Sequence, residues 1–157
     1  WMFITITQNY EQLKQHELIV FNIKQKSFFA TRIGNNLYCD LNKITKSEFE
    51  RYVKPYLLNY KSLTIIDSKK SNITINNRRF LNLTSTNLSS PSDSINFILI
   101  SNNSLLNLTD FKDSKPLIIV DGSNNYKTIA KLKKQCTTYH LQFYNVKENG
   151  ALILNTN

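Results

Sequence analysis

The stretch Lys115 to Asn157, KPLIIVDGSNNYKTIAKLKKQCTTYHLQFYNVKENGALILNTN, decides the fold class. Leu117-Ile118-Ile119-Val120 is a short unbroken apolar run, the pattern of a strand buried on both faces. Asp121-Gly122-Ser123-Asn124-Asn125 interrupts it with residues that tolerate turns. The spacing then predicts a helix from about Tyr126 to Tyr139. Tyr126, Ile129, Leu132 (or Lys133) and Cys136 fall on one apolar face, and Lys127, Lys131 and Lys134 form a basic row on the other. Leu141 to Val146 alternates as a strand, Lys147 to Gly150 turns it, and Ala151 to Leu154 returns. The unit reads β-α-β-β.

Working outward, the 157-residue chain is long enough for one domain that buries roughly two-thirds of its unfolded surface. Its 41% hydrophobic content is that of a globular protein, and three Gly with three Pro argue against a repeat or linker protein. The formal charge of +9 favours an anionic partner, nucleic acid or a lipid surface, with plain solubility as the alternative. Cys39 and Cys136 are far apart and lack zinc spacing. They read as buried apolar residues, although an oxidising compartment would permit a disulfide. Trp1-Met2-Phe3-Ile4 does not open as a signal peptide, and no run approaches the roughly 20 apolar residues of a membrane span. The start reads as a cut inside a longer protein, with residues 1–16 a juxtamembrane tether and 17–157 one soluble domain.

Upstream, Leu18 to Ile23, Ser27 to Ile33 and Leu37 to Leu41 read as a three-stranded meander. Ser47 and Glu50 have capping-box spacing, with Ser47 as N-cap. Phe49, Tyr52, Val53, Tyr56, Leu57 and Tyr60 follow at helical spacing, which reads as core packing in preference to a base-stacking surface. Pro55 should kink or divide that helix near Lys54. Leu63 to Ile66 is a strand, and Asn72 to Leu83 is a hairpin about Asn76-Asn77-Arg78. Ser85 to Ser94 is a polar loop, Ile95 to Ile100 a strand, and Leu105 to Phe111 a short helix or turn. This mixed order predicts an α/β domain of layers around a mixed sheet.

Catalytic signatures are scarce. His16 and His140 lack ligand partners at metal-site spacing, and Walker, G-x-S-x-G and G-x-G-x-x-G motifs are absent. Neither a cofactor nor a metal is expected. Asp121-Gly122-Ser123 follows a buried strand, a place where α/β sheets bind ligands, but a plain turn has the same sequence. The basic residues offer more. The helix row Lys127, Lys131 and Lys134, with Arg78 and Arg79 at the hairpin, Lys69-Lys70 before it and Lys24 and Lys26 at the first turn, would take a phosphate backbone if they converge. A solvated helix face with scattered loop charges is the bland alternative.

The words Ile118-Ile119-Val120-Asp121-Gly122-Ser123-Asn124, the Lys-rich helix with its one Cys, and Glu148-Asn149-Gly150-Ala151 before a terminal apolar strand together resemble the C-terminal soluble domain of ComEC-type competence proteins. Glu17-Leu18-Ile19-Val20-Phe21 is similar to that family's first strand after the last membrane segment. The resemblance implies a metallo-β-lactamase-like fold in a shortened, degenerate form. The family's Asp-Val-Gly-Gln-Gly-Asp pattern is replaced here by Phe21-Asn22-Ile23-Lys24-Gln25-Lys26-Ser27. Its His-x-His-x-Asp-His motif has no counterpart, and its His-His-Gly-Ser stretch gives way to Ser101-Asn102-Asn103-Ser104. Asn amides do not replace imidazole and carboxylate ligands at a two-metal site.

The resemblance therefore implies a domain that is not an enzyme, attached to a DNA-uptake channel in the cell membrane and facing its outer side. It would contact DNA through Lys127, Lys131, Lys134, Arg78 and Arg79. One rival is a structural or oligomerisation module of the channel that touches no nucleic acid. The other is a hydrolase with an unusual site near Asp121, Ser123 and Asn102.

Overall fold

A computed structural model describes residues 15–60, 62–69, 72–75, 77–83 and 95–156. Most of the expected tether, the polar loop from Ser85 to Ser94, Lys70 and the turn residue Asn76 lie outside the described residues.

The chain forms two five-stranded sheets. The first takes β1 (His16–Val20), β2 (Phe29–Ile33), β3 (Asn36–Cys39), β4 (Thr64–Asp67) and β10 (Leu152–Asn155), in the order β10-β1-β2-β3-β4. The second takes β5 (Asn72–Ile75), β6 (Arg78–Leu83), β7 (Ile95–Ile100), β8 (Leu117–Val120) and β9 (Phe143–Asn145), in sequence order. The expected meander and hairpin are both present, the hairpin turning at Asn77 in the left-handed region with φ 62. From β6 to β9 every pairing is parallel, so all these strands point their carboxyl ends to one edge.

Three apolar clusters stack the sheets and helices into four layers. Leu18 and Val20 on β1 and Leu152 on β10 meet Phe80, Phe97, Leu99 and Ile119 of the second sheet, which packs sheet on sheet. The opposite parity on β1, Ile19, faces Val53 and Tyr56 of a helical layer together with Ala30, Leu37 and Cys39. On the far side, Ile98, Ile100, Ile118 and Val120 face Leu132 and Cys136 of a long helix. A strand whose two parities serve two layers must be apolar wherever it is covered, which is why β8, and β7 from Phe97 past the exposed Asn96, read as unbroken hydrophobic runs. Both cysteines are free and buried, one in each of the two apolar clusters between a sheet and its helical layer, and burial raises each thiol to about 11.

The helical layer over the first sheet is one run in three parts: α1 (Lys46–Glu48), a π-helical segment (Phe49–Val53) and α2 (Lys54–Leu57). Its cap is Thr45, not the expected Ser47. Thr45 Oγ1 accepts from the Glu48 amide at 3.3 Å, and Glu48 Oε2 accepts from the Thr45 amide at 2.9 Å. Both T-x-x-E and S-x-x-E spacings occur here, and a tertiary contact chooses between them. The Lys26 ammonium lies 2.6 Å from Glu48 Oε2 and, first among the causes, holds that carboxyl near 2. Pro55 divides the run as expected. Its missing N–H falls just after the wide turn, where the Lys54 amide bonds back to Phe49 O.

The β-α-β-β unit is corrected at its end. The helix α3 (Tyr126–Thr138) crosses from β8 to β9 as expected, but the polar turn is a short helix, α4 (Val146–Asn149). The last strand, β10, does not pair with β9. It crosses to the first sheet and pairs antiparallel with β1. Within α3, Ile129, Leu132 and Cys136 are buried, but Tyr126 is 79% exposed. As the first residue of the helix it projects past the sheet edge and finds no layer beneath it.

Candidate functional site

The carboxyl edge of the second sheet carries the densest polar structure in the described chain. Asp121 directly follows β8 and is fully buried. Its carboxylate is solvated by protein alone. Oδ2 accepts from Ser101 Oγ at 2.8 Å, and Oδ1 accepts from the Ser123 amide at 3.0 Å, the Ser123 hydroxyl, and Asn124 Nδ2 at 3.1 Å. Ser101, at the end of β7, is also fully buried, and its Oγ lies 2.8 Å from Ser27 Oγ of the first sheet's β1–β2 loop. With the Ser101 proton on Asp121, Ser27 is the donor of that second bond. Ser101 Oγ also lies 3.3 Å from Asn82 Oδ1, and Asn82 Nδ2 has no partner among the described residues. One hydroxyl proton cannot serve both acceptors, and the nearer, charged Asp121 takes it.

The same node binds the loops to one another. Asn102 N donates to Ser123 Oγ at 2.7 Å, Asn103 N to Asn124 Oδ1 at 2.9 Å, and Asn125 N to Asn103 Oδ1 at 2.7 Å. Asn102 and Asn103 hold left-handed backbone, φ 54 and φ 59, which Asn tolerates better than most residues. The first sheet joins in where Gln25 N donates to Gly122 O at 3.0 Å. A Cβ on Gly122 would stand 2.0 Å from the Ile23 carbonyl oxygen, so only glycine lets these backbones meet. Gly122→Ala is expected to cost at least about 2 kcal/mol through overpacking, read as a lower urea midpoint. An unchanged midpoint would show that the loops part at little cost.

Beside this node lies an open cleft of about 510 Å³, lined by Asn22, Lys24, Gln25, Ser123 to Tyr126, and Lys147. Lys147, in the first turn of α4, donates from Nζ to Asn124 O and stands 5.2 Å from the centre of the Tyr126 ring. Two lysines, an aromatic ring, amides and a hydroxyl converge here without an acidic side chain in the lining.

The five basic residues singled out in the sequence are all exposed. Lys127, Lys131 and Lys134 lie along α3 opposite its buried face of Ile129, Leu132 and Cys136. Their intervals keep them within one stripe about 10 Å long. Lys133, off that stripe, is 3.5 Å from Glu148. Arg78 and Arg79 open β6, and Arg79 pairs with Ile95 at the amino end of the parallel strands. The arginine pair therefore stands on a different element from the lysine row, and Lys24 and Lys147 gather at the opposite, carboxyl edge. Sequence reading placed Lys24 among the basic residues but missed Lys147, and it put Tyr126 in the core.

A second buried polar group, unseen in the sequence, lies between the first sheet and α2. Arg32 on β2 is fully buried and Glu17 on β1 is 6% exposed. Arg32 Nη1 stands 3.5 Å from Glu17 Oε2, its Nε donates to Gly34 O at 2.8 Å, and the guanidinium lies 3.8 Å from the centre of the Tyr60 ring. The Tyr56 and Tyr60 hydroxyls both donate to Glu17. Burial first, and then that bond to Glu17, push the Tyr56 hydroxyl far above the ordinary phenol range. The expectation that this aromatic stripe packs the core holds, with the hydroxyls as its polar tips.

A sequence model of the ComEC C-terminal domain matches residues 18–156. The chain belongs to the ComEC C-terminal domain family. No curated protein and no solved structure matches it. Membership suggests a part in competence DNA uptake and association with a membrane protein. Among the described residues of this ComEC domain, no helix is long and apolar enough to cross a membrane.

The metallo-β-lactamase-like centre that the resemblance brings to mind does not fit these donors. Among the described residues no three His, Cys, Asp or Glu side chains come together as a ligand group. At the strand ends the groups are Ser and Asn around Asp121, both of whose oxygens are already occupied by hydrogen bonds. Neutral amides and hydroxyls do not hold divalent ions in place of imidazole and carboxylate.

Proposed function

We propose that this ComEC domain is a non-catalytic part of a membrane DNA-uptake channel that contacts and guides incoming DNA through a basic surface. The observation that carries the reading is the row of Lys127, Lys131 and Lys134, exposed on one stripe of α3. Among the described residues no ion pair engages any of the three, whereas Lys26, Lys54 and Lys133 each have an acidic partner. An unpaired ammonium row keeps its charge for phosphate, and binding releases condensed counterions. Arg78 and Arg79, on β6 at the amino end of the parallel strands, would be a second basic contact apart from that row.

The donor chemistry supports the absence of hydrolysis from the role. Asp121 is enclosed and hydrogen-bonded throughout, and the serine chain Ser27–Ser101–Asp121 has no imidazole or amine in it to take a proton from a nucleophile. The node organises loops that carry the neighbouring cations.

The test is fluorescence anisotropy with labelled oligonucleotides from about 50 to 200 mM salt. Reversing Lys127, Lys131 and Lys134 to Glu together is expected to weaken binding uniformly across sequences. The slope of log affinity against log salt should fall by about 1 per lost phosphate contact. Unchanged affinity would remove the row from the interface, and no binding by the unaltered protein would favour a structural module of the channel.

A further inference from the structure

The cleft at the strand ends has a composition that selects its ligand. Its cations, Lys24 and Lys147, face amides from Asn22, Gln25 and Asn125, and no carboxylate lines it. Tyr126 stands in the same lining with 79% of its surface exposed, although it is the first residue of a helix whose apolar face is otherwise buried. Lys147 spends one of its three N–H donors on the carbonyl of Asn124, which fixes the ammonium near the ring and leaves two donors for an anion. The walls are set before any ligand arrives. Gln25 is held to Gly122, and Ser123 and Asn124 are held to Asp121 and the β7 loop. A volume of about 510 Å³ lies within the range of small-molecule sites.

We infer that this cleft is a subsite for one nucleotide of single-stranded DNA, with the base stacked on Tyr126 and the flanking phosphates on Lys24 and Lys147. A base in a duplex offers its face to its neighbours in the stack and cannot offer it to a side chain. The ring therefore distinguishes single from double strands, while the lysine row on α3 serves either. The amides of Asn22 and Gln25, each able to donate or accept, line the cleft beside the base position, while Asn125, whose oxygen caps α3 by accepting from the Thr128 amide at 2.8 Å, offers its Nδ2 donor alone. This inference rests on the DNA-contact reading, but the two fail separately.

Anisotropy with a labelled oligothymidylate and with a duplex of equal length tests it. Tyr126→Ala, at an exposed position, should weaken single-strand binding roughly 5- to 100-fold and leave duplex binding within about twofold. Tyr126→Trp should retain single-strand affinity, and Lys24→Ala with Lys147→Ala should reduce it. Equal losses on both substrates, or none on the single strand, would overturn the subsite. Loss at the Lys127, Lys131 and Lys134 reversal with no response at Tyr126 would overturn the cleft alone. Loss at Tyr126 with no response at the row would overturn the row alone. A thymidine trinucleotide followed by amide chemical shifts supplies an independent reading. Shifts at residues 22–25 and 123–126 are expected. Shifts confined to the α3 row, or none at all, would overturn the assignment.

Discussion

Arg32→Leu is expected to lower stability by about 3 to 5 kcal/mol, the cost of leaving a buried charge without its partner. Arg32 has no exposed surface, and its guanidinium is the cation beside Glu17, itself 6% exposed. Its removal also takes away a donor to Gly34 O and the cation over the Tyr60 ring. Tyr56 and Tyr60 would still donate to Glu17, but two hydroxyls do not replace a formal charge in a site closed to water. In a domain of this size that loss is roughly 6 to 20 °C in melting temperature. The companion variant separates charge imbalance from packing. With Glu17→Leu added to Arg32→Leu, both charges are gone and part of the loss should return, because a well-packed apolar pair often equals a buried ion pair, less the cost of the Tyr56 and Tyr60 hydroxyls that lose their acceptor. A double variant no more stable than the single one would show that the cost lies in shape, in the Gly34 bond and in the two tyrosine hydroxyls, not in charge imbalance. Thermal melts of the wild type, Arg32→Leu, Glu17→Leu and the double variant close the cycle.

Asp121→Ala is expected to cost about 3 kcal/mol, since each buried donor left unpaired costs about 1 to 3 kcal/mol. Ser101 Oγ, the Ser123 amide and Asn124 Nδ2 all donate to this carboxylate. The full sum over these donors is not realised. Ser101 has Asn82 Oδ1 as a second acceptor at 3.3 Å, and Asn124 keeps Ile100 O at 2.7 Å, so the Ser123 turn carries most of it. Asp121→Asn keeps the shape and one acceptor oxygen and should cost distinctly less. Urea titration orders the three proteins as wild type, Asn, Ala. If Ala and Asn are equally tolerated, the node does not organise the strand ends. The same variant reports on the cleft, whose Ser123 and Asn124 wall hangs from Asp121.

Much of the architecture was legible because it depends on local periodicity. The unbroken runs Phe97–Ile100 and Leu117–Val120 read as strands covered on both faces, and they pair in parallel at the centre of the second sheet. The spacing of Ile129, Leu132 and Cys136 named the buried side of α3, and therefore the exposed side with its three lysines. Where two local signals competed, the tertiary structure chose. Thr45 and Ser47 each had a Glu three residues on, and Lys26 favours Glu48. Tyr126 satisfied the helical period yet lies beyond the sheet edge, because periodicity gives direction around a helix and says nothing of what lies beneath its first turn.

The sequence by itself determined the element order, the α/β layering, the family, and the exposure of Lys127, Lys131 and Lys134. Parity on β1 and β2 held a readable clue as well, since Glu17 lies in step with Ile19 and Arg32 with Ala30. Only the tertiary structure decided that β10 leaves its neighbour β9 to pair with β1. It alone brought Ser27, Ser101 and Asp121 into one chain of hydrogen bonds, and Lys24 and Lys147 to one cleft beside Tyr126. The physical reason is common to these cases. Hydrogen bonds and charges act over a few ångströms whatever the separation along the chain, and residues 74 positions apart, as Ser27 and Ser101 are, share no local pattern that could announce their meeting.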